Sequence, residues 1–194
     1  MNPSKNSIFT VGHSNLRLNQ FVSMLQECKI EVVVDVRSQP YSKYCPYFNK
    51  REIEAGLKAA GFDYYFKGNS LGGKPSDDDS YDEDGHVDYE KLSRTELFLE
   101  GINHLLDLAR GKRLSLMCGE ENPESCHRRL LLGPALKQRG IRLMHIRKNG
   151  VLEDDSEISS EEPSTTTTQL SLFETAKPTE NKPWRSKNPV KKES

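Results

Sequence analysis

The sequence predicts one three-layer α/β/α domain on a mostly parallel five-stranded sheet, followed by a disordered tail. Five apolar runs of strand length recur between residues 8 and 146. Segments with apolar residues at helical spacing separate them, and that alternation implies a parallel sheet covered on both faces. Four of the runs stop abruptly at glycine and ionisable residues, as strands do where a parallel sheet opens its ligand crevice.

The first run, Ile8-Phe9-Thr10-Val11, ends in Gly12-His13-Ser14-Asn15. Leu18, Phe21, Val22 and Leu25 then share one helical face, predicting a helix over 18–27. The second run, 31–34, ends in Asp35-Val36-Arg37-Ser38. Asn49 with Glu52 resembles a capping box, and Ile53, Leu57 and Ala60 carry an apolar face to Gly61, a C-terminal cap. The third run, 62–66, leads into Lys67-Gly68-Asn69-Ser70-Leu71-Gly72-Gly73. A third helix over 94–109 is expected to bury Leu97, Phe98, Ile102, Leu105 and Ala109. The fourth run (Leu114, Leu116, Met117) stops at Cys118-Gly119-Glu120, and after a polar loop Cys126-His127-Arg128 opens a fourth helix. Pro134 inside that helix removes a backbone donor and predicts a kink. The fifth run, 141–146, completes the sheet. A flavodoxin-like order, 2-1-3-4-5, is expected, which joins the ends of strands one, three and four.

At 194 residues the chain suits one domain, placed at 1–150, and an appendage, 151–194. Its four cysteines are too few and too scattered for a disulfide framework. No apolar leader precedes Ile8 and no run approaches a membrane span, so a cytoplasmic protein with reduced thiols and no membrane partner is expected. Residues 74–90 hold the acids Asp77, Asp78, Asp79, Asp82, Glu83, Asp84, Asp88 and Glu90 against the single base Lys74, while the rest of the body is basic. A basic body suits a polyanionic ligand. Beyond Gly150 come an acidic stretch (153–162), a low-complexity stretch (163–168) and a Lys/Pro/Asn-rich end. Such composition buries too little apolar surface to offset ordering entropy.

The strand ends hold the candidate chemistry. His13, Asp35, Cys118 and Glu120 are the candidate catalytic residues: a thiol nucleophile beside an imidazole, and two carboxylates for acid–base work or magnesium. The acidic run after Cys118 opposes thiolate formation. Arg37, Lys67 and Arg128 are candidate phosphate ligands, and Gly12, Gly72 and Gly73 let backbone approach one. Ser14, Cys126 and His127 complete the candidate ligand set. Cys118, Cys126 and His127 are alternatively a zinc or iron site, although cysteines eight positions apart do not have a zinc-finger spacing. The structural alternatives are an Asp35–Arg37 salt bridge and a packing role for His127 and Arg128. Tyr41, Tyr44, Tyr47 and Phe48, interleaved with Lys43, Lys50 and Arg51, form either a base-stacking loop or a lid. No cofactor is legible.

Gly-His-Ser, Asp-Val-Arg-Ser, Leu-Gly-Gly and Cys-Gly-Glu…Cys-His-Arg, in that order at the ends of strands one to four, resemble the domain-of-unknown-function family 488 over about residues 7–147. The resemblance implies an α/β sandwich and names a site without naming a reaction. The acidic insertion is not part of its motif pattern. Gln169-Leu170-Ser171-Leu172-Phe173 in the tail resembles the pentapeptide that docks bacterial polymerases and repair proteins on the sliding clamp. Together these lead to the expectation of a DNA-processing or repair enzyme, a nuclease or a nucleotide- or base-releasing hydrolase, recruited to DNA by the clamp. A non-catalytic nucleotide- or DNA-binding adaptor and a thiol- or metal-dependent small-molecule enzyme are the alternatives.

Overall fold

Six strands form one sheet in the computed structural model, which describes residues 6–158 and 184–190. They are β1 (Ser7–Gly12), β2 (Val32–Asp35), β3 (Asp63–Phe66), β4 (Leu114–Cys118), β5 (Arg142–Ile146) and β6 (Leu152–Asp154). The spatial order is β3-β2-β4-β1-β5-β6, with the first five parallel and β6 antiparallel to β5. Every residue of β2 and β4 is buried, which explains why both read as continuous apolar runs rather than alternating ones.

Helices cover both faces. On one, α1 (Leu18–Glu27) and α2 (Lys50–Ala59) pack Phe21, Leu25, Ile53 and Leu57 against Phe9, Val11, Val33 and Met117. The short α3 (Gly68–Leu71) follows β3. On the other face, α4 (Tyr89–Ser93), α5 (Glu96–Leu108), α6 (His127–Leu130) and α7 (Leu132–Lys137) bring Leu92, Phe98, Ile102, Leu105 and Leu136 onto Ile8, Val32, Val34 and Leu116. Phe9 and Val11 point one way and Ile8 the other, the period-two alternation of a strand between two helical layers.

The layered class matches the expectation, but four details differ. The order of the five expected strands is 3-2-4-1-5, so the ends of strands one, two and four meet and the third lies at an edge. Crossover connections set that order, and residue periodicity does not record them. A sixth strand lies past Gly150, so the packed body extends beyond the expected boundary. The helix expected over 94–109 is α5, trimmed to Glu96–Leu108 because Thr95 caps Phe98 N, and the separate short α4, capped by Asp88 at Lys91 N, precedes it; Leu97, expected in the core, is 56% exposed. Residues 184–190 also belong to the packed body, pairing with the acidic insertion through an Asp88–Arg185 bridge. Gln169–Phe173 lies outside the described residues. Among those described, no helix is long and apolar enough to cross a membrane.

Candidate functional site

The carboxyl ends of β2, β4 and β1 lie side by side, with Asp35 opposite Met117 and Gly12 opposite Cys118. His13 N and Ser14 N extend the ladder to Cys118 O and Gly119 O at 3.0 and 2.8 Å. The loop after Cys118 then folds back across β1. A Cβ on Gly12 would stand 1.7 Å from Glu120 O, so glycine is required there by the protein's own backbone. Asn122 caps the turn Pro123–Ser125 by accepting from Glu124 N, and the chain returns to Cys126 at the start of α6.

That return brings two cysteines eight apart in sequence onto one carboxylate. Cys118 Sγ donates to Glu120 Oε2 at 2.8 Å, and Cys126 Sγ lies 3.3 Å from the same oxygen. His127 Nδ1 lies 3.7 Å from Cys118 Sγ and 3.9 Å from Cys126 Sγ. Its Nε2 donates to Val36 O at 3.0 Å, which fixes the ring and turns the Nδ1 lone pair toward the sulfurs. One ligand atom from each of these four residues lies within 4.8 Å of the others. The cysteines are buried and His127 nearly so, while Glu120 is open to solvent.

The cluster sets an acidic carboxyl and thiol against an imidazole whose own affinity for a proton, opposed by burial, they raise. Although Glu120 is exposed as a residue, the neighbours packed round its carboxyl take water from it and favour the protonated form, but hydrogen bonds from Cys118, its own backbone amide and Cys126 outweigh that and hold the carboxyl at about 2. The hydrogen bond to Cys126, then burial, pushes the Cys118 thiol well up. Burial opposes charge on Cys126 too, yet the bond from Cys118 and the His127 imidazole bring it well below the usual thiol range.

The other expected site residues divide between support and surface. Asp35 is fully buried and accepts from Arg37 Nε (2.9 Å), Arg37 Nη2 (2.6 Å), Arg37 N (3.1 Å) and the Tyr64 hydroxyl (2.9 Å). Its oxygens are committed to Arg37 and Tyr64, the geometry of the structural alternative rather than of an open acid–base or magnesium ligand. Arg37 Nη1 donates to His13 Nε2 at 3.1 Å, and His13 Nδ1 donates to Ser14 O at 2.9 Å. Burial, then the Arg37 charge, lowers His13 to about 4, and its ring stacks on Phe48 at 4.2 Å. His13 is therefore a neutral wall whose lone pair is occupied. Arg128 is 1% exposed and donates to Glu120 O, to Glu121 O at 2.6 Å and to Thr10 Oγ1 at 3.2 Å. A buried guanidinium needs such partners, and these make it the loop's clamp rather than a phosphate ligand.

Lys67 Nζ contacts His104 Nδ1 at 2.7 Å, away from the cluster. A Cβ on Gly72 would stand 2.4 Å from Ser38 Oγ, and one on Gly73 2.6 Å from the His127 ring; both glycines admit protein rather than a ligand. Ser14 faces a separate surface hollow shared with Glu121 and Arg147. A Thr10–His145–Asp155 chain (2.7 and 3.0 Å) has the connectivity of a hydrolase triad, but Thr10 and His145 are fully buried.

Over the cluster opens a cleft of about 590 Å³. Cys118, Glu120 and His127 form part of its lining, with His13, Arg37 and Tyr41 among the other lining residues. Tyr41 and Tyr44 are 75% and 88% exposed, whereas Phe48 is buried and the Tyr47 hydroxyl binds Leu16 O at 3.1 Å. The aromatic-basic loop is thus half platform and half core. Sequence reasoning missed Lys74, Tyr89 and residues 186–190, which also line the cleft. They come from the acidic insertion and the distant tail, and no local pattern joins those two. Residues 17–135, more than half of the chain, match the family described as Domain of unknown function DUF488. No curated protein and no solved structure matches the chain.

Proposed function

The chain belongs to the DUF488 family, and we propose that it is a zinc-dependent hydrolase of nucleotides or single-stranded nucleic acid, carried to DNA by the sliding clamp. One observation carries the metal reading: Cys118 Sγ, Cys126 Sγ, His127 Nδ1 and a Glu120 oxygen converge within 4.8 Å at a cleft. Two sulfurs and an imidazole suit zinc rather than magnesium. The sulfur–nitrogen separations of 3.7 and 3.9 Å are close to the roughly 3.6 Å implied by tetrahedral zinc with ordinary bond lengths. The Val36 carbonyl on the far ring nitrogen is the kind of support that metal-bound histidines have.

Three of the four ligands are fixed, and the fourth, Glu120, is exposed to the cleft. That asymmetry favours a catalytic over a closed structural centre, since catalytic zinc keeps one replaceable position. Zinc held there by Cys118, Cys126 and His127 would supply Lewis-acid activation of water and a polarising charge. The thiol-nucleophile alternative is weaker, because both sulfurs are buried and turned toward Glu120 and His127, and Cys126 does not line the cleft. The substrate class rests on the exposed Tyr41–Tyr44 platform and the lysines at the cleft. Recruitment rests on the sequence Gln169–Phe173.

Metal analysis of the full chain is expected to find one zinc per molecule, lost in Cys118→Ser and Cys126→Ser. Glu120→Gln should retain zinc and lose hydrolysis of a single-stranded oligonucleotide or a nucleotide. Purified chain that neither carries nor takes up zinc would sink the reading.

A further inference from the structure

The segment Trp184–Val190 lies beyond the family match and is fastened to the body along its length. Pro134 has no N–H to offer Leu130 O, and the Trp184 indole Nε1 donates to that carbonyl at 2.7 Å. Tyr89 N binds Trp184 O at 3.0 Å, Ser186 N binds Val87 O at 2.9 Å, and Val190 N binds Gly85 O at 2.8 Å. Ser186 Oγ accepts from Val87 N at 3.0 Å, and Arg185 Nη1 reaches Asp82 and Asp84 at 2.7 and 3.2 Å. The acidic insertion is the cradle of a strap, a role its charge run alone did not disclose.

Seated there, Ser186–Val190 lines the same cleft as Cys118, Glu120 and His127. Lys187 is exposed, lines the cleft, and has no ionic partner among the described residues; Lys74 is in the same position. Tyr41 supplies an exposed ring beside them. Cations and a flat face around one cavity suit a ligand with a phosphate and a base.

We propose that the strap Trp184–Val190 is a permanent wall of the ligand site and that Lys187 binds a nucleotide's phosphate. This rests on the reading of the cleft as a nucleotide site. It is independent of whether zinc occupies the cluster.

The test uses the full-length chain with zinc content measured, a fluorescein-labelled octathymidylate read by anisotropy, and thymidine 5′-monophosphate as competitor. Lys187→Ala should weaken probe binding about tenfold, with melting temperature and zinc content unchanged, and Lys187→Arg should largely restore it. Trp184→Ala combined with Arg185→Ala should undock the strap and weaken binding at least as much. Competition by the monophosphate would identify a free nucleotide as sufficient, and competition by unlabelled octathymidylate alone would identify a strand. Unchanged affinity in Lys187→Ala overturns the proposal, as does a wild-type chain that binds neither probe. Tighter binding by the undocked variant also overturns it, because the strap would then cover the site rather than build it. Lys187-dependent binding by a chain without zinc would sink the metal reading and leave the wall standing.

Discussion

Arg128 commits its guanidinium to the protein itself, holding the loop that carries Glu120. Its guanidinium is buried beneath the loop and bonded to the carbonyls of Glu120 and Glu121. Arg128→Ala would leave those carbonyls and Thr10 short of a donor, so a loss of roughly 2–4 kcal/mol in thermal or denaturant unfolding is expected. Zinc affinity should fall with it, since that loop sets Cys118 and Cys126 beside each other. A variant with wild-type stability would show that the arginine is not the clamp the geometry makes it. The residue types of this region were legible in the sequence: cysteines, histidine and carboxylates after strand ends pointed to the sheet edge where the cleft lies. Their division of labour was not, because Asp35, Arg37 and Arg128 read identically whether they face a ligand or one another. Only burial and partners distinguish those cases, and both come from segments remote in sequence.

The elements show the same boundary between local and distant information. Strand and helix periods placed β1 to β5 and the apolar faces of α1 and α2, since those patterns lie within a dozen residues. Sheet order and the closing strand β6 depend on what packs where. The corner after β6 is a case that can be measured. Asp155 Oδ1 accepts from Arg129 Nε at 2.7 Å and lies 3.0 Å from His145 Nε2, tying the corner after β6 to α6 and β5. Burial raises the Asp155 carboxyl, but His145 and Arg129 outweigh it and leave a net lowering. A carboxyl lowered in the folded state stabilises the fold above its unfolded value, about 3.9, and that contribution is lost as pH falls through the folded value. Asp155→Asn is therefore expected to cost about 1 kcal/mol at neutral pH, with the gap to wild type closing in strong acid. A gap that stays constant between pH 7 and pH 2 would remove the ion pair from the account.

At the scale of the molecule, the proposed function joins a cleft read as a ligand site to a tail sequence that resembles a partner-docking motif. In sequence, Gln169–Phe173 lies between two described packed segments, the turn ending at Ile158 and the strap beginning at Trp184. Recruitment and chemistry should then be separable, because the residues proposed for each do not overlap. A peptide spanning 168–174 is expected to bind the bacterial sliding clamp at micromolar strength, near −8 kcal/mol. Leu172 and Phe173 would supply most of it, since burying each apolar side chain is worth roughly 1.5–3 kcal/mol. Leu172→Ala with Phe173→Ala should therefore weaken clamp binding by roughly two to four orders of magnitude in the full chain. The same double variant should keep its zinc, its melting temperature and its turnover on a free oligonucleotide. Cys126→Ser should do the reverse, losing zinc and turnover while holding the clamp at wild-type affinity. Undiminished clamp binding by the double variant would remove recruitment from the proposed function. Loss of turnover in that variant on free substrate would mean instead that the pentapeptide serves the cleft, and its likeness to a docking motif would then be coincidental.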